Sequence, residues 1–286
     1  MNFFDISDLN ASDLLHILNS DFEENILDDK NIGLIFEKQS TRTRLSFQVG
    51  IHQLNGKTID INFNNLNLSR YETFEDTFKA MNCYLDGLVY RTTSHQNLIE
   101  AAKHFDKPII NALSEKSHPC QIISDLFTLI EHFGDLNQTI LWMGDMNNVC
   151  FSLVEAVNLF DDLSLIICCP GEINTEINWK MNSNIFVINS ISEIDLSKVD
   201  CVMTDVFVSM NDEENDSKIE LLKPYSVSSE LMLKTNKKSI FMHCLPAKIG
   251  SEVSDEVFRS DKSIVWKQAY NRMIAQKKLL QFIYQK

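Results

Sequence analysis

Short apolar segments alternate with amphipathic segments along almost the whole chain of 286 residues, and this alternation restricts the fold more than any other feature. Runs of four or five mostly apolar residues have the length and composition of buried strands. Between most of these runs, apolar residues recur at helical spacing. A repeated strand–helix–strand order requires crossover connections and parallel sheets that helices cover on both faces. We therefore predict an α/β fold.

Four predicted strands precede Pro119 and five follow Gly134, which favours two doubly wound parallel-sheet domains over one large sheet. The turn signal at Gly134 is expected to separate a first domain, 1–134, from a second, 135–262. The strands are predicted at 33–36, 58–61, 87–90, 108–111, 139–143, 164–168, 184–188, 201–204 and 239–243. The helices are predicted at 7–18, 42–54, 73–85, 94–105, 119–133, 149–160, 219–222 and 263–283.

Composition excludes several classes of function. A net charge of −14 argues against nucleic acid or an anionic membrane as the main partner. The longest apolar run, 163–169, is far too short to span a bilayer, and the start of the chain lacks the pattern of a secretion signal, so we expect a cytoplasmic protein. The seven cysteines include no CxxC pair and are expected to be reduced thiols. The His and Cys spacing of a zinc site is absent, and no metal or cofactor is predicted.

The segment from Phe36 to Leu45, F-E-K-Q-S-T-R-T-R-L, places hydroxyls and arginines where a strand gives way to a helix. Backbone N–H groups and the helix dipole converge there on a bound anion, and Arg42 can add a charge-assisted contact. The alternative is an ordinary Ser/Thr helix cap with surface arginines. Arg44 lies roughly 200° around the helix from Arg42, so it is expected to serve in packing or an ion pair.

Five further motifs follow predicted strands or lie on helices, at positions where open α/β sheets bind ligands. They are Val89-Tyr-Arg-Thr-Thr93, Ser117-His-Pro-Cys-Gln121, Gly144-Asp-Met-Asn-Asn148, Thr204-Asp-Val-Phe-Val-Ser-Met210 and Met242-His-Cys-Leu-Pro-Ala247. The last helix carries Gln268-Ala-Tyr-Asn-Arg272. Together with the F-E-K-x-S-T-R-T-R segment, these motifs resemble the aspartate/ornithine carbamoyltransferase family over essentially the whole chain. T-D-V-F-V-S-M and H-C-L-P resemble the ornithine enzymes of that family in particular.

The resemblance implies a binding site for carbamoyl phosphate in a cleft between two domains joined by interdomain helices, with the last helix, 263–286, packed against the first domain. It assigns the phosphate group to Ser40, Thr41, Arg42 and Thr43. It assigns the carbonyl and carbamoyl groups to Arg91, His118 and Gln121. Cys244, Leu245 and Arg272 complete the site. Asn67 stands near a position where the family often has glutamine, in a loop that can reach a neighbouring subunit. The residues expected to act in catalysis are Arg91, His118, Cys244 and Arg272.

For the second substrate, the resemblance assigns four residues to L-ornithine, which are Asn148, Asp205, Ser209 and Met210. It implies transfer of a carbamoyl group to the δ-amine of L-ornithine, giving L-citrulline and phosphate, as in arginine biosynthesis or a urea-cycle-type step. A homotrimer without a cofactor is expected. Cys244 either acts as a base or only positions ornithine, and both readings stay open, as does the biosynthetic or degradative direction.

Departures from the family pattern leave an alternative acceptor open. Asn211 replaces a common glycine, and Phe151 lies where small or polar residues are frequent, so another amine such as putrescine or an acylated ornithine is the alternative. Aspartate is disfavoured because Asp205 would repel a dicarboxylate. A homologue kept only for binding would lose Arg42, His118 or Arg272, and all three are present.

Overall fold

The computed structural model describes residues 1–23, 25–63, 66, 72–174, 179–208 and 216–286. The chain divides into two compact units: Met1–Phe127 with Asn271–Lys286, and Thr128–Tyr270. The division thus falls after Phe127, whereas the sequence pattern placed a domain boundary after Gly134. It lies inside two helices, at 119–133 and 265–285, each of which contributes residues to both units.

The first unit contains a four-stranded parallel sheet in the order β2-β1-β3-β4. Its elements are α1 (Ala11–Asn19), β1 (Asn31–Phe36), α2 (Thr41–Gln53), β2 (Lys57–Ile61), α3 (Phe74–Asn82), β3 (Gly87–Arg91), α4 (His95–Ala101), β4 (Ile109–Leu113) and the first part of α5 (Pro119–Phe133). Near the N-terminus, Phe3 makes a parallel bridge to Ile110 of β4. One face of the sheet packs on α3 and α4 through a buried cluster that includes Phe78, Leu98 and Phe105.

The second unit contains a five-stranded parallel sheet in the order β7-β6-β5-β8-β9. Its elements are β5 (Thr139–Met143), α6 (Asn148–Val157), β6 (Ser164–Cys168), α7 (Gly171–Asn174), β7 (Ile185–Ile188), β8 (Cys201–Thr204), α8 (Asp216–Leu222), α9 (Ser229–Lys234), β9 (Ile240–His243), α10 (Asp255–Phe258) and the first part of α11 (Val265–Gln285). Its core includes Leu141 of β5, Val202 of β8 and Phe241 of β9.

The two parallel sheets confirm the predicted α/β fold, and all nine predicted strands are present within two residues of their expected ends. Three short helices, α7, α9 and α10, were not predicted, because four to six residues give only a weak helical period. The equally short prediction at 219–222 does lie within a helix, α8. The first long helix begins later than expected, at Ala11. The Asn10 side chain caps it by accepting a hydrogen bond from the Asp13 N–H at 2.9 Å.

None of the helices in the described ranges is long and apolar enough to cross a membrane. Five of the seven cysteines are buried, and all seven are free thiols.

The C-terminal end of α11 packs closely against the start of β3. Tyr284 donates a hydrogen bond to the Asp86 carbonyl at 2.9 Å, and a Cβ at Gly87 would lie well inside van der Waals contact of the tyrosine hydroxyl. We predict that Gly87→Ala lowers the free energy of unfolding by about 2 kcal/mol, measured by urea denaturation. In Gly87→Ala/Tyr284→Phe the clashing oxygen is absent, so the double variant should be more stable than Gly87→Ala alone.

Gly171→Ala is the matched control for this prediction, because its Cβ would meet nothing closer than 3.5 Å. It should change the free energy of unfolding by less than about 0.5 kcal/mol. An equal loss of stability in Gly87→Ala with and without the tyrosine hydroxyl would contradict the steric explanation.

Candidate active site

The strand order of the first unit creates a crevice at the carboxyl ends of β1 and β3. The chain leaves β1 toward β2 on one side, and leaves β3 toward β4 on the other, so the connections diverge between these two strands. Such a switch point is where open parallel sheets bind ligands. Phe36, the last residue of β1, is paired with Arg91, the last residue of β3. The register therefore puts Arg91 beside the loop that leads into α2.

The loop after β1 forms the expected junction with a helix N-terminus. Ser40 occupies the N-cap position of α2, but its side chain makes no capping hydrogen bond. The reading of Ser40 as an ordinary capping side chain is therefore wrong. Thr41, Arg42 and Thr43 form the first turn, where backbone N–H groups have no helical acceptor. The N–H groups of this turn can therefore donate to a bound anion.

Arg44 faces away from that turn, as its helical position predicts. Its guanidinium forms an ion pair with Asp60 of β2 and lies 4.5 Å from the centre of the Phe36 ring. The prediction that Arg44 serves in packing and an ion pair is confirmed.

Glu37 joins the loop after β1 to the loop after β3. Its carboxylate accepts hydrogen bonds from the hydroxyls of Tyr90, Thr92 and Thr93 at 2.5, 2.8 and 2.7 Å and from the Thr93 N–H at 2.7 Å. Burial acts to raise the pKa of Glu37, but the hydrogen bonds outweigh it, and the pKa is lowered. Sequence reasoning missed this residue, although it lies inside the motif. Its carboxylate holds the side chains of Tyr90 and Thr92, which stand on either side of Arg91.

A buried cationic cluster surrounds His118 in the first unit. Arg91, His118 and Arg272 are each at most 5% exposed. Arg272 Nη2 donates a hydrogen bond to Thr43 Oγ1 at 2.6 Å, which brings the last helix to the first turn of α2. Burial lowers the pKa of His118 well below 6.5, and the nearby charges of Arg272 and Arg91 lower it further. His118 is therefore a neutral imidazole held among cations.

Gln121 lies in the first turn of α5, just after His118, and is fully buried. Its backbone N–H donates to the His118 carbonyl at 3.1 Å. Its side chain donates from Nε2 to Asp125 Oδ1 at 2.8 Å. The structure thus gathers Thr43, Arg91, His118 and Arg272 with the start of α5 at one end of one sheet, as the resemblance implies.

The second unit has its own switch point, between β5 and β8. Thr204, at the end of β8, pairs with Met143 of β5 and with His243 of β9. The residues that follow these strand ends are thereby brought side by side. They include Asp205 after β8 and Cys244 after β9.

Asp205 is the centre of this second group and is only 8% exposed. Cys244 Sγ donates to its Oδ1 at 2.7 Å, and Asn147 Nδ2 donates to its Oδ2 at 2.8 Å. Both carboxylate oxygens are therefore oriented.

Asn147, the neighbour of the expected residue Asn148, contacts Asp205. Its Oδ1 also caps α6 by accepting from the N–H groups of Val149 and Cys150 at 3.0 and 3.1 Å. Sequence reasoning missed Asn147 because an N-cap asparagine has a sufficient structural explanation. Asn148 is the first residue of α6 and is half-buried. Asp145, two residues before this cap, forms an ion pair with Lys218 at 2.8 Å.

The turn after β9 is held by His243 of the H-C-L-P motif and by Glu252, which the sequence did not single out. His243 Nδ1 accepts from the Leu245 N–H at 2.9 Å, and its Nε2 lies 3.1 Å from Glu252 Oε1. Both side chains are fully buried. This arrangement stabilises Leu245 at φ 56°, a left-handed backbone conformation that residues other than glycine rarely adopt. The backbone of the H-C-L-P motif is therefore rigidly placed.

Three of these groups also meet a geometric test for metal ligands. Single donor atoms of Asp205, His243 and Cys244 lie within 4.8 Å of one another. The fold brings them together although their sequence spacing does not suggest it. Both ring nitrogens of His243 are engaged in hydrogen bonds, however, so its side chain would have to give one up to bind an ion. The prediction of no metal site stays a prediction.

Three expected binding residues, Asn67, Ser209 and Met210, lie outside the described residues, as does Asn211. Phe151, the other departure from the family pattern, packs edge-to-face against Trp179, with the ring centres 5.3 Å apart.

Two family models together match nearly the whole chain. A model described as "Aspartate/ornithine carbamoyltransferase, carbamoyl-P binding domain" matches residues 2–131. A second, described as "Aspartate/ornithine carbamoyltransferase, Asp/Orn binding domain", matches residues 136–283.

Individual relatives match along nearly their whole length. An ornithine carbamoyltransferase of Methanosphaera stadtmanae is 42% identical over 272 residues, covering 91% of this chain and 89% of that protein. One from Rhizobium johnstonii is 39% identical over 293 residues, covering 98% and 96%. The crystal structure of the anabolic ornithine carbamoyltransferase from Campylobacter jejuni aligns with a TM-score of 0.89 at 31% identity, covering 100% and 99%. The chain therefore belongs to the aspartate/ornithine carbamoyltransferase family of transferases.

Proposed function

We propose that this protein transfers the carbamoyl group of carbamoyl phosphate to the δ-amine of L-ornithine, giving L-citrulline and phosphate. The observation that carries the proposal is the contact between Arg272 and Thr43, which adds a buried cation to the first turn of α2. Relatives at about 40% identity that are named ornithine carbamoyltransferase support the choice of acceptor. The residues of the two units are proposed to serve this one reaction.

The proposed role of the first unit is to bind carbamoyl phosphate and stabilise the charge that develops on it. Attack of an amine on the carbonyl carbon moves negative charge to the carbonyl oxygen, where Arg91 and the neutral His118 are proposed to donate hydrogen bonds. Departing phosphate carries charge that Arg42 and the N-terminus of α2 neutralise. Carbamoyl phosphate is already activated, so positioning and electrostatics suffice without a covalent intermediate.

The proposed role of the second unit is to hold the cationic amino acid. Asp205 has both oxygens oriented by Cys244 and Asn147, so its charge has a fixed position for an ammonium group. Because Cys244 donates to Asp205, we infer that the thiol orients the acceptor and does not act as its base. Leu245, whose backbone is held by His243, is proposed to complete the carbamoyl phosphate ligands together with Cys244.

We further propose a cytoplasmic homotrimer that works in arginine biosynthesis. Free thiols throughout the chain support a reducing compartment. The trimer rests on the family resemblance, and the biosynthetic direction rests on the Campylobacter jejuni relative, whose name includes the word anabolic.

The decisive experiment measures phosphate release from carbamoyl phosphate in the presence of a panel of amines. L-Ornithine should give the highest kcat/KM, with citrulline as product. A higher kcat/KM for putrescine or an acylated ornithine would show that this amine, and not ornithine, is the acceptor. The proposed carbamoyl transfer would still stand. Absence of phosphate release with every amine would refute the proposed reaction.

Arg42 and Arg44 form a matched pair for testing the phosphate loop. We predict that Arg42→Ala weakens carbamoyl phosphate binding about a hundredfold, because a charge-assisted contact is lost. Arg44→Ala should leave that binding unchanged and lower the free energy of unfolding by about 1 kcal/mol, since it removes a partly exposed ion pair and a cation–π contact. Calorimetric titration and urea denaturation measure the two effects. Equal losses of affinity in both variants would show that Arg44 also faces the phosphate, contrary to its assigned orientation.

A third prediction separates Asp205 from Cys244. Asp205→Asn removes a buried counter-charge and should weaken ornithine binding by on the order of 3 kcal/mol, with little change for carbamoyl phosphate. Cys244→Ser keeps a donor to Asp205 and should do less damage. Steady-state kinetics with ornithine as the varied substrate measure both. Asp161→Asn, which removes the same charge from an exposed position, is the control and should behave as wild type. Normal ornithine affinity in Asp205→Asn would remove this residue from the acceptor site.

The lowered pKa of His118 gives a prediction about acid stability. In the unfolded chain the imidazole gains a proton near pH 6.5, but in the folded protein it stays neutral to lower pH. Wild-type stability should therefore fall as the pH drops below 6.5. His118→Asn lacks this contribution, so the stability gap between wild type and variant should narrow from pH 8 to pH 5 in urea denaturation. A gap that stays constant would mean that His118 has the same pKa in both states.

A further inference from the structure

We propose that Asp125 is a positioning residue that fixes the orientation of the Gln121 amide, and that this orientation makes the protein distinguish a carbamoyl from an acetyl group. The inference rests on the proposed function, because it concerns how the first unit recognises carbamoyl phosphate. Asp125 itself is not placed in contact with substrate.

The two side chains form one buried pair on α5. Gln121 and Asp125 are both fully buried and lie one helical turn apart, a spacing at which side chains meet. Gln121 Nε2 donates to Asp125 Oδ1 at 2.8 Å. The other amide atom, Gln121 Oε1, is buried with no hydrogen-bond partner among the described residues.

The chemistry of a carboxylate explains why this orientation is fixed. An ionised carboxylate can only accept hydrogen bonds, so the amide NH2 must be the group that faces Asp125. The reversed amide would set two acceptor oxygens against each other in a buried site. Gln121 therefore presents an acceptor, and not a donor, on the side away from Asp125.

A buried acceptor without a partner is unfavourable, so a ligand that brings a donor gains affinity there. Gln121 lies in the first turn of α5, close to His118. The charges of Arg91 and Arg272 act on His118. The NH2 of the carbamoyl group is the donor that matches Gln121 Oε1. Acetyl phosphate has the same shape but carries a methyl group in place of NH2. A site built to hydrogen-bond an NH group rejects an analogue that lacks it.

The test compares dissociation constants for carbamoyl phosphate, acetyl phosphate and inorganic phosphate by calorimetric titration. Wild type should prefer carbamoyl over acetyl phosphate by at least about tenfold. In Asp125→Asn the asparagine can donate to Gln121 Oε1, so the amide is free to reverse and the preference should fall about tenfold. The dissociation constant for inorganic phosphate, which does not involve Gln121, should change less than twofold.

A double-mutant cycle shows whether Asp125 acts through Gln121. In a Gln121→Leu background, Asp125→Asn should cause no further loss of the preference. Ser124→Ala, at the equally buried neighbouring position, is the control for general disturbance of α5 and should keep the wild-type preference. If Asp125→Asn does not fold, Asp125→Ser serves instead, since a hydroxyl both donates and accepts and cannot fix the amide.

The outcomes separate this inference from the proposed function. An unchanged preference in Asp125→Asn, or an equal loss of the preference with and without Gln121, would overturn the role of Asp125 even if the enzyme makes citrulline. Wild type that binds carbamoyl phosphate selectively but releases no phosphate with any amine would overturn the proposed reaction and leave the role of Asp125 standing.

Discussion

Parallel strand pairing is the constraint on which the rest of this structure depends. In each sheet the connections diverge at one pair of strands, β1 and β3 in the first unit and β5 and β8 in the second. Parallel pairing brings the carboxyl ends of neighbouring strands to the same edge, so loops far apart in sequence meet there. Arg91 stands beside the end of β1, and Asp205 lies between the ends of β5 and β9, only because the register sets Phe36 against Arg91 and Thr204 against both Met143 and His243.

The local charge at the first edge is opposite in sign to the net charge of the chain, and the local charge at the second edge has the same sign. The protein carries a net charge of −14, so an anion meets overall repulsion. The first unit overcomes this locally by burying two guanidinium groups, Arg91 and Arg272, around a histidine that stays neutral. The second unit needs no such concentration of charge, because a single oriented carboxylate, Asp205, agrees in sign with the general field.

Sequence patterns predicted the elements whose signal is long and missed those whose signal is short. Every buried strand was found because an apolar run is a local signal, whereas α7, α9 and α10 complete fewer than two helical turns and show no repeated period. Among site residues, the family motifs led to Arg42, His118 and Arg272. The supporting contacts of Glu37, Asn147 and Glu252 were not predicted, because each depends on a partner that only the fold brings near. Asn147 shows this clearly, because an asparagine that only caps a helix and one that also donates to Asp205 look the same in the sequence.

Glu37 carries a consequence for how this family can vary. One carboxylate satisfies hydroxyl and amide donors from Tyr90, Thr92, Thr93 and Asn97. Replacing it alone would leave several donors unsatisfied at once, including the buried hydroxyls of Tyr90 and Thr92, while replacing any single donor would leave the others intact. Sequence drift should therefore be strongly asymmetric here, with donor positions exchanging among hydroxyl residues and the acceptor position remaining acidic.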